Sequence, residues 1–81
     1  MTWVYTGSTI VWLLTIILAV VFTIIDFDTV FINLLVAIIT TIIWATVILN
    51  VGRPYWPPVA FALLVIAFIL ELLFDIAILA G

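Results

Sequence analysis

Three apolar runs follow one another almost without a break: 8–25 (STIVWLLTIILAVVFTII), 29–49 (TVFINLLVAIITTIIWATVIL) and 59–80. Only DFD and NVGRPYWPP separate them. Each is close to the ~20 residues a helix needs to cross about 30 Å of hydrocarbon. A soluble fold is excluded on surface grounds. Hydrophobic residues make up 72% of the chain and charged residues 6%, whereas a soluble domain is roughly half apolar and a quarter charged. Too little polar surface remains to clothe a water-facing core.

The runs are continuous rather than alternating and about twice the length of a barrel strand, so a transmembrane β-barrel does not fit. In lipid the backbone must bond within its own segment, which favours helices even for chains rich in Ile, Val and Thr. The expected fold is all-α: an integral membrane protein of three transmembrane helices in a single unit of 81 residues. Helix 1 is expected over about 8–25 or from as early as Thr2, helix 2 over about 29–49 and helix 3 over about 59–80. No internal repeat or linker is read from the sequence. The segment MTWVYTGST lacks the basic start of a signal peptide, and no small-residue cleavage site follows the first run, so that run reads as a retained anchor.

The breaks carry their own signals. Ser8 or Thr9 is a candidate cap for helix 1. Asp28 is a candidate cap for helix 2, its carboxylate meeting the positive end of the helix dipole. The short DFD turn makes helices 1 and 2 an expected antiparallel hairpin. Asn50 and Gly52 suit a helix end, and Pro58 suits the first turn of the next helix. Trp3, Tyr5, Tyr55 and Trp56 fall where an aromatic belt belongs. The loop 50–58 is the candidate interfacial contact, with Arg53, Tyr55 and Trp56 as its recognising residues, because Arg pairs with phosphate or carboxylate. Lys and Arg favour the cytoplasmic side. Arg53 therefore places this loop and the N-terminus inside, and Asp26, Asp28 and the C-terminus outside.

Charge excludes several functions. One basic residue stands against four acids, which leaves no basic face for nucleic acid and no polybasic lipid-binding segment. There is no Cys and no His, so thiolate sites, disulfides and the usual haem ligand are absent. No nucleophile–base pair, metal cluster or phosphate loop is visible, and no enzyme activity, cofactor or small-molecule substrate is expected.

Two acids, Glu71 and Asp75, lie within the third run. An acid in a membrane helix is costly and marks a functional candidate. Residues four apart share a helix face. This groups Thr15, Ala19 and Thr23 on helix 1, and Asn33, Ala37, Thr41 and Ala45 on helix 2. On helix 3 it groups Ala60, Ala67, Glu71 and Asp75. Such small and polar stripes suit close helix approach in lipid. The candidate intramembrane polar and partner-contact residues are Glu71, Asp75, Asn33, Thr41, Thr15 and Thr23. A neutral, protonated Glu71 is expected to donate to Thr41 or to a backbone carbonyl, or to meet a basic group of a partner. Asp75 lies one turn nearer the surface, level with Thr23 and Asn33, and reads as reaching the headgroups at the interface. Trp12 and Trp44 read as lipid-facing or gap-filling.

Three spans in about 80 residues with acids in membrane helices resemble, in size and layout, small subunits of respiratory complex I or of multisubunit cation/proton antiporters. The complex I type would carry an acid in its second span, where this chain has Asn33; no motif residues transfer. The resemblance implies an accessory or ion-translocating role. The expected partners are the bilayer and other membrane subunits. The expected function is a non-catalytic structural or accessory subunit of a larger membrane assembly. That assembly is a respiratory or transport complex, or the membrane layer of a virion. The alternatives are an ion- or proton-translocating subunit using Glu71, and a small homo-oligomeric channel.

Overall fold

The computed structural model describes residues 2–49 and 55–81, without the side chain of Thr2. Asn50, Gly52, Arg53 and Pro54 lie outside the described residues, and with them the Arg53 part of the proposed interfacial contact. The described chain is α1 (Thr2–Ile25), a 3-10 turn (Phe27–Thr29), α2 (Val30–Ile48) and α3 (Trp56–Ala80). No strand occurs among the described residues. All three helices are long and apolar enough to cross a membrane. The chain is an all-α, multi-pass membrane protein.

The helix bounds agree with the sequence expectation to within one residue, α1 taking its earlier start, except that α3 begins three residues early; the caps differ, each for a local reason. α1 begins at Thr2, so Ser8 and Thr9 lie inside it rather than capping it. Thr9 Oγ1 donates to the Tyr5 carbonyl one turn back (3.0 Å), the usual refuge of a hydroxyl within a helix. At the turn the capping acid is Asp26, not Asp28: the Asp26 carboxylate accepts the Asp28 N–H at 3.1 Å. Asp26 N–H still donates to Phe22 O (2.8 Å), so the chain turns without leaving α1's last carbonyls bare. Thr29 occupies the N-cap position of α2 but makes no side-chain cap bond. Its hydroxyl donates back to Asp26 O (2.7 Å). α3 starts at Trp56, with Pro57 and Pro58 in its first turn. Their missing N–H groups are ones a helix start leaves unpaired anyway.

A helix of 24 or 25 residues is about 36–38 Å long. The molecule measures 42 × 18 × 15 Å, so the helices lie side by side along its long axis, and each packs on both others. As α1 partners advance, their α2 partners retreat: Thr9 meets Trp44, Trp12 meets Thr41 and Thr23 meets Asn33. α3 starts beside the start of α1, where Phe61 lies against Trp3 (ring centroids 5.9 Å) and over Gly7. A methyl group at Gly7 would fall 2.7 Å from Phe61 Cζ, so the helices approach here because no side chain intervenes.

The buried interior is Val4, Ser8, Thr15, Ala19 and Phe22 from α1, Asn33, Thr40 and Val47 from α2, and Pro57, Ala60, Leu64, Glu71 and Asp75 from α3. Exposed residues include Ile24, Phe31, Leu70 and Leu79. This is the arrangement lipid demands, apolar outside and the few polar groups inside.

Candidate functional site: the buried polar seam

On α2 the inward residues Asn33, Thr40 and Val47 are spaced by seven. The four-spaced row Asn33–Ala37–Thr41–Ala45 does not all point inward. A helix of 3.6 residues per turn rotates about 40° at each step of four but only ~20° per heptad. Over 12 residues the four-spaced row winds toward α1, while the seven-spaced seam stays facing both partners. Thr40 therefore replaces Thr41 in the interior. On α3, Leu64 is buried and Ala67 only half-buried.

Thr41 is not the partner of Glu71. It accepts the indole N–H of Trp12 (2.9 Å), while Trp44 Nε1 donates to Thr9 Oγ1 (3.0 Å). The two indoles stack with centroids 4.2 Å apart and planes 8° from parallel. Neither tryptophan faces lipid as a lone ring. Together they clasp α1 to α2, each ring bonding the hydroxyl three residues before the other. The sequence signal is a short repeat, TIVW at 9–12 and TIIW at 41–44, which corrects the expectation of no internal repeat. Trp56 Nε1 makes a comparable bond from α3 to Thr46 (2.8 Å). It therefore binds within the bundle, and Tyr55 precedes it at the exposed edge.

At the other end Asn33, 2% exposed, donates both amide hydrogens, to Thr23 Oγ1 (3.1 Å) and Thr29 Oγ1 (3.0 Å). It ties α1, the turn and α2 together. Thr23, Thr15 and Thr40 donate their own hydroxyl hydrogens to carbonyls of their own helices: Ala19 O (2.8 Å), Val11 O (2.9 Å) and Val36 O (2.8 Å).

Glu71 and Asp75 lie one turn apart on the inner face of α3, 4% and 1% exposed. Phe61 beside Trp3 and Gly7 sets an offset of 54 to 58 residues between α1 and α3. The same offset brings Glu71 level with 13–17, around Thr15, and Asp75 level with 17–21, around Ala19. Glu71 does not donate to Thr41, and neither Thr23 nor Asn33 bonds Asp75; all four carboxyl oxygens are buried without a hydrogen-bond partner. The cover over them is the chain's own, so a basic group of a neighbouring protein does not reach them in this packing. Among the described residues no three metal-ligating side chains come together.

The fold and the seam define the class: a helical multi-pass membrane protein with an acid pair enclosed in its interior. Comparison with protein-family models, with curated proteins and with solved structures gives no match.

Proposed function

We propose that the chain is a non-catalytic structural or accessory subunit of a larger membrane assembly, such as a respiratory or transport complex or the membrane layer of a virion. In this reading helices 1 and 2 form an antiparallel hairpin, and the N-terminus lies on the cytoplasmic side. The carrying observation is the division of surfaces. The amide of Asn33 and the three bonded indoles serve the bundle itself. Aliphatic and aromatic side chains cover the outside. A shallow groove of about 280 Å³ between α1 and α2, with Ala19, Thr23 and Ala37 among its lining residues, breaks that surface. Such a body associates by shape, since small residues in membrane helices permit close approach.

Cross-linking in native membranes followed by purification in a mild detergent tests the reading. A defined partner in fixed ratio is expected. A chain recovered as a single protomer overturns it, and a ring of identical copies would replace it with the homo-oligomeric channel.

A further inference from the structure

The level of Glu71 and Asp75 is unusual in what it offers. Thr15 and Thr40, buried on α1 and α2, have turned their hydroxyl hydrogens to carbonyls of their own helices. Both Asn33 amide hydrogens go to threonines, and the Trp12, Trp44 and Trp56 indoles do likewise. The acids' surroundings therefore present oxygen acceptors, while these N–H donors are engaged elsewhere. The chain's one basic side chain, Arg53, belongs to the segment before α3. No titratable side chain of α1 or α2 faces the pair; α1 brings Thr15 and Ala19, and α2 brings Thr40 and Asn33. The other described carboxyl side chains, Asp26 and Asp28, are in the turn. Buried oxygens with no donor are costly, and a proton is the smallest species that converts one of them into a donor.

The interior is also lopsided. Asp75 lies about 8 Å from the end of α3 and Glu71 about 14 Å. By the α1–α3 offset, Phe22 is level with 76–80, between Asp75 and that end. In the opposite direction the interior is Leu64, Ala60, Val4 and Val47 with Ser8. We propose that Glu71 and Asp75 form a one-sided proton-exchange site, reached past Phe22 from the end holding the 26–29 turn and closed toward the other end by the Leu64 layer. A proton passes from hydronium at that end to an Asp75 carboxylate oxygen, forming a neutral carboxyl and leaving water. It then passes from that O–H to a Glu71 carboxylate oxygen, leaving Asp75 ionised again. Side chains four apart on a helix have Cβ atoms about 5–6 Å apart, within reach directly or through one water. The site stands whether the protomer is solitary or part of an assembly.

The test uses the full chain, oriented uniformly in phospholipid vesicles and treated with dicyclohexylcarbodiimide, which modifies protonated carboxyls in apolar surroundings. Mass spectrometry reads the modified residue. Modification at Glu71 or Asp75 is expected. It should fall by about tenfold per pH unit on the basic limb when pH is raised on the side of α3's C-terminus, and stay constant when only the opposite side is raised. Phe22→Ala should speed the response and Asp75→Asn should slow it, each by about tenfold, with helix content checked by circular dichroism; a variant that loses helix is set aside, and the two-sided comparison on the unaltered chain decides. Equal response to both sides, response to the wrong side, no pH response or no modification overturns the proposal. Protection by sodium at constant pH overturns it in favour of a metal cation.

Discussion

Where α1 and α3 begin, the bundle interior is Val4, Val47, Ala60 and Leu64, with Ser8 among them, and Phe61 closes over Gly7. Where α1 and α3 end, the same three helices enclose Thr29, Asn33, Glu71 and Asp75, with Ala19 and Phe22. The first end is held chiefly by fit, with a missing side chain at its tightest point and one indole bond, from Trp56 to Thr46. The second is held by direction: one amide joins two threonines across the turn. Fit tolerates no added atoms and no charge. Direction tolerates both better, because carboxyls and a hydrogen-bonded amide are already there. The Trp12–Trp44 clasp lies between the two and draws on each, with ring stacking and two hydrogen bonds.

Moving a carboxyl across the divide should have the largest effect. Leu64→Glu puts an acid into the closely fitted layer and is expected to cost about 3 kcal/mol, whereas Glu71→Gln should change stability by less than about 1 kcal/mol. Equilibrium unfolding in mixed detergent micelles measures both, and similar losses would erase the distinction between the ends. Next comes Gly7→Leu, which drives side-chain atoms into the Phe61 ring; a loss of about 2 kcal/mol is expected from overpacking. Paired with Phe61→Ala, much of that loss should be recovered. Asn33→Leu removes both amide bonds and should cost about 1 kcal/mol, since membrane hydrogen bonds average ~0.6 kcal/mol each. Trp12→Phe keeps an aromatic face for Trp44 but loses the bond to Thr41. It should cost about 0.6 kcal/mol, with Thr41→Val adding little on top of it. An additive double variant would show that the indole bond contributes nothing to the clasp.

The three spans were legible from the apolar runs alone, because length and continuity translate directly into a membrane-crossing helix. The start of α1 at Thr2 is one of the two the sequence offers. The first turn of α3 was not legible: it begins earlier than the apolar run suggests, since hydropathy falls at the prolines while the backbone stays helical. Asn33 and Thr15 were placed inward by spacing, as found. Thr41 was misplaced because a row four apart drifts around the helix, and Thr40 holds the inward position. The burial of Glu71 followed from the cost of an acid in lipid; Asp75, close enough to the helix end to reach the headgroups, is buried as well. Their lack of partners did not follow, because the threonines at their level bond their own carbonyls, a choice that spacing does not encode. The repeated T-x-x-W was present in the sequence, yet its meaning needs two helices side by side.

The central claim is that the acid face of α3 turns away from lipid within one protomer. The chain has no cysteine, so nitroxide labels on single-cysteine variants along α3, in bilayers, report each position without background. Oxygen and a polar nickel reagent should both be excluded at Ala60, Leu64, Glu71 and Asp75, with oxygen contact highest at Leu63, Ile66, Leu70 and Leu73. Oxygen contact peaking at 71 and 75 would contradict the account.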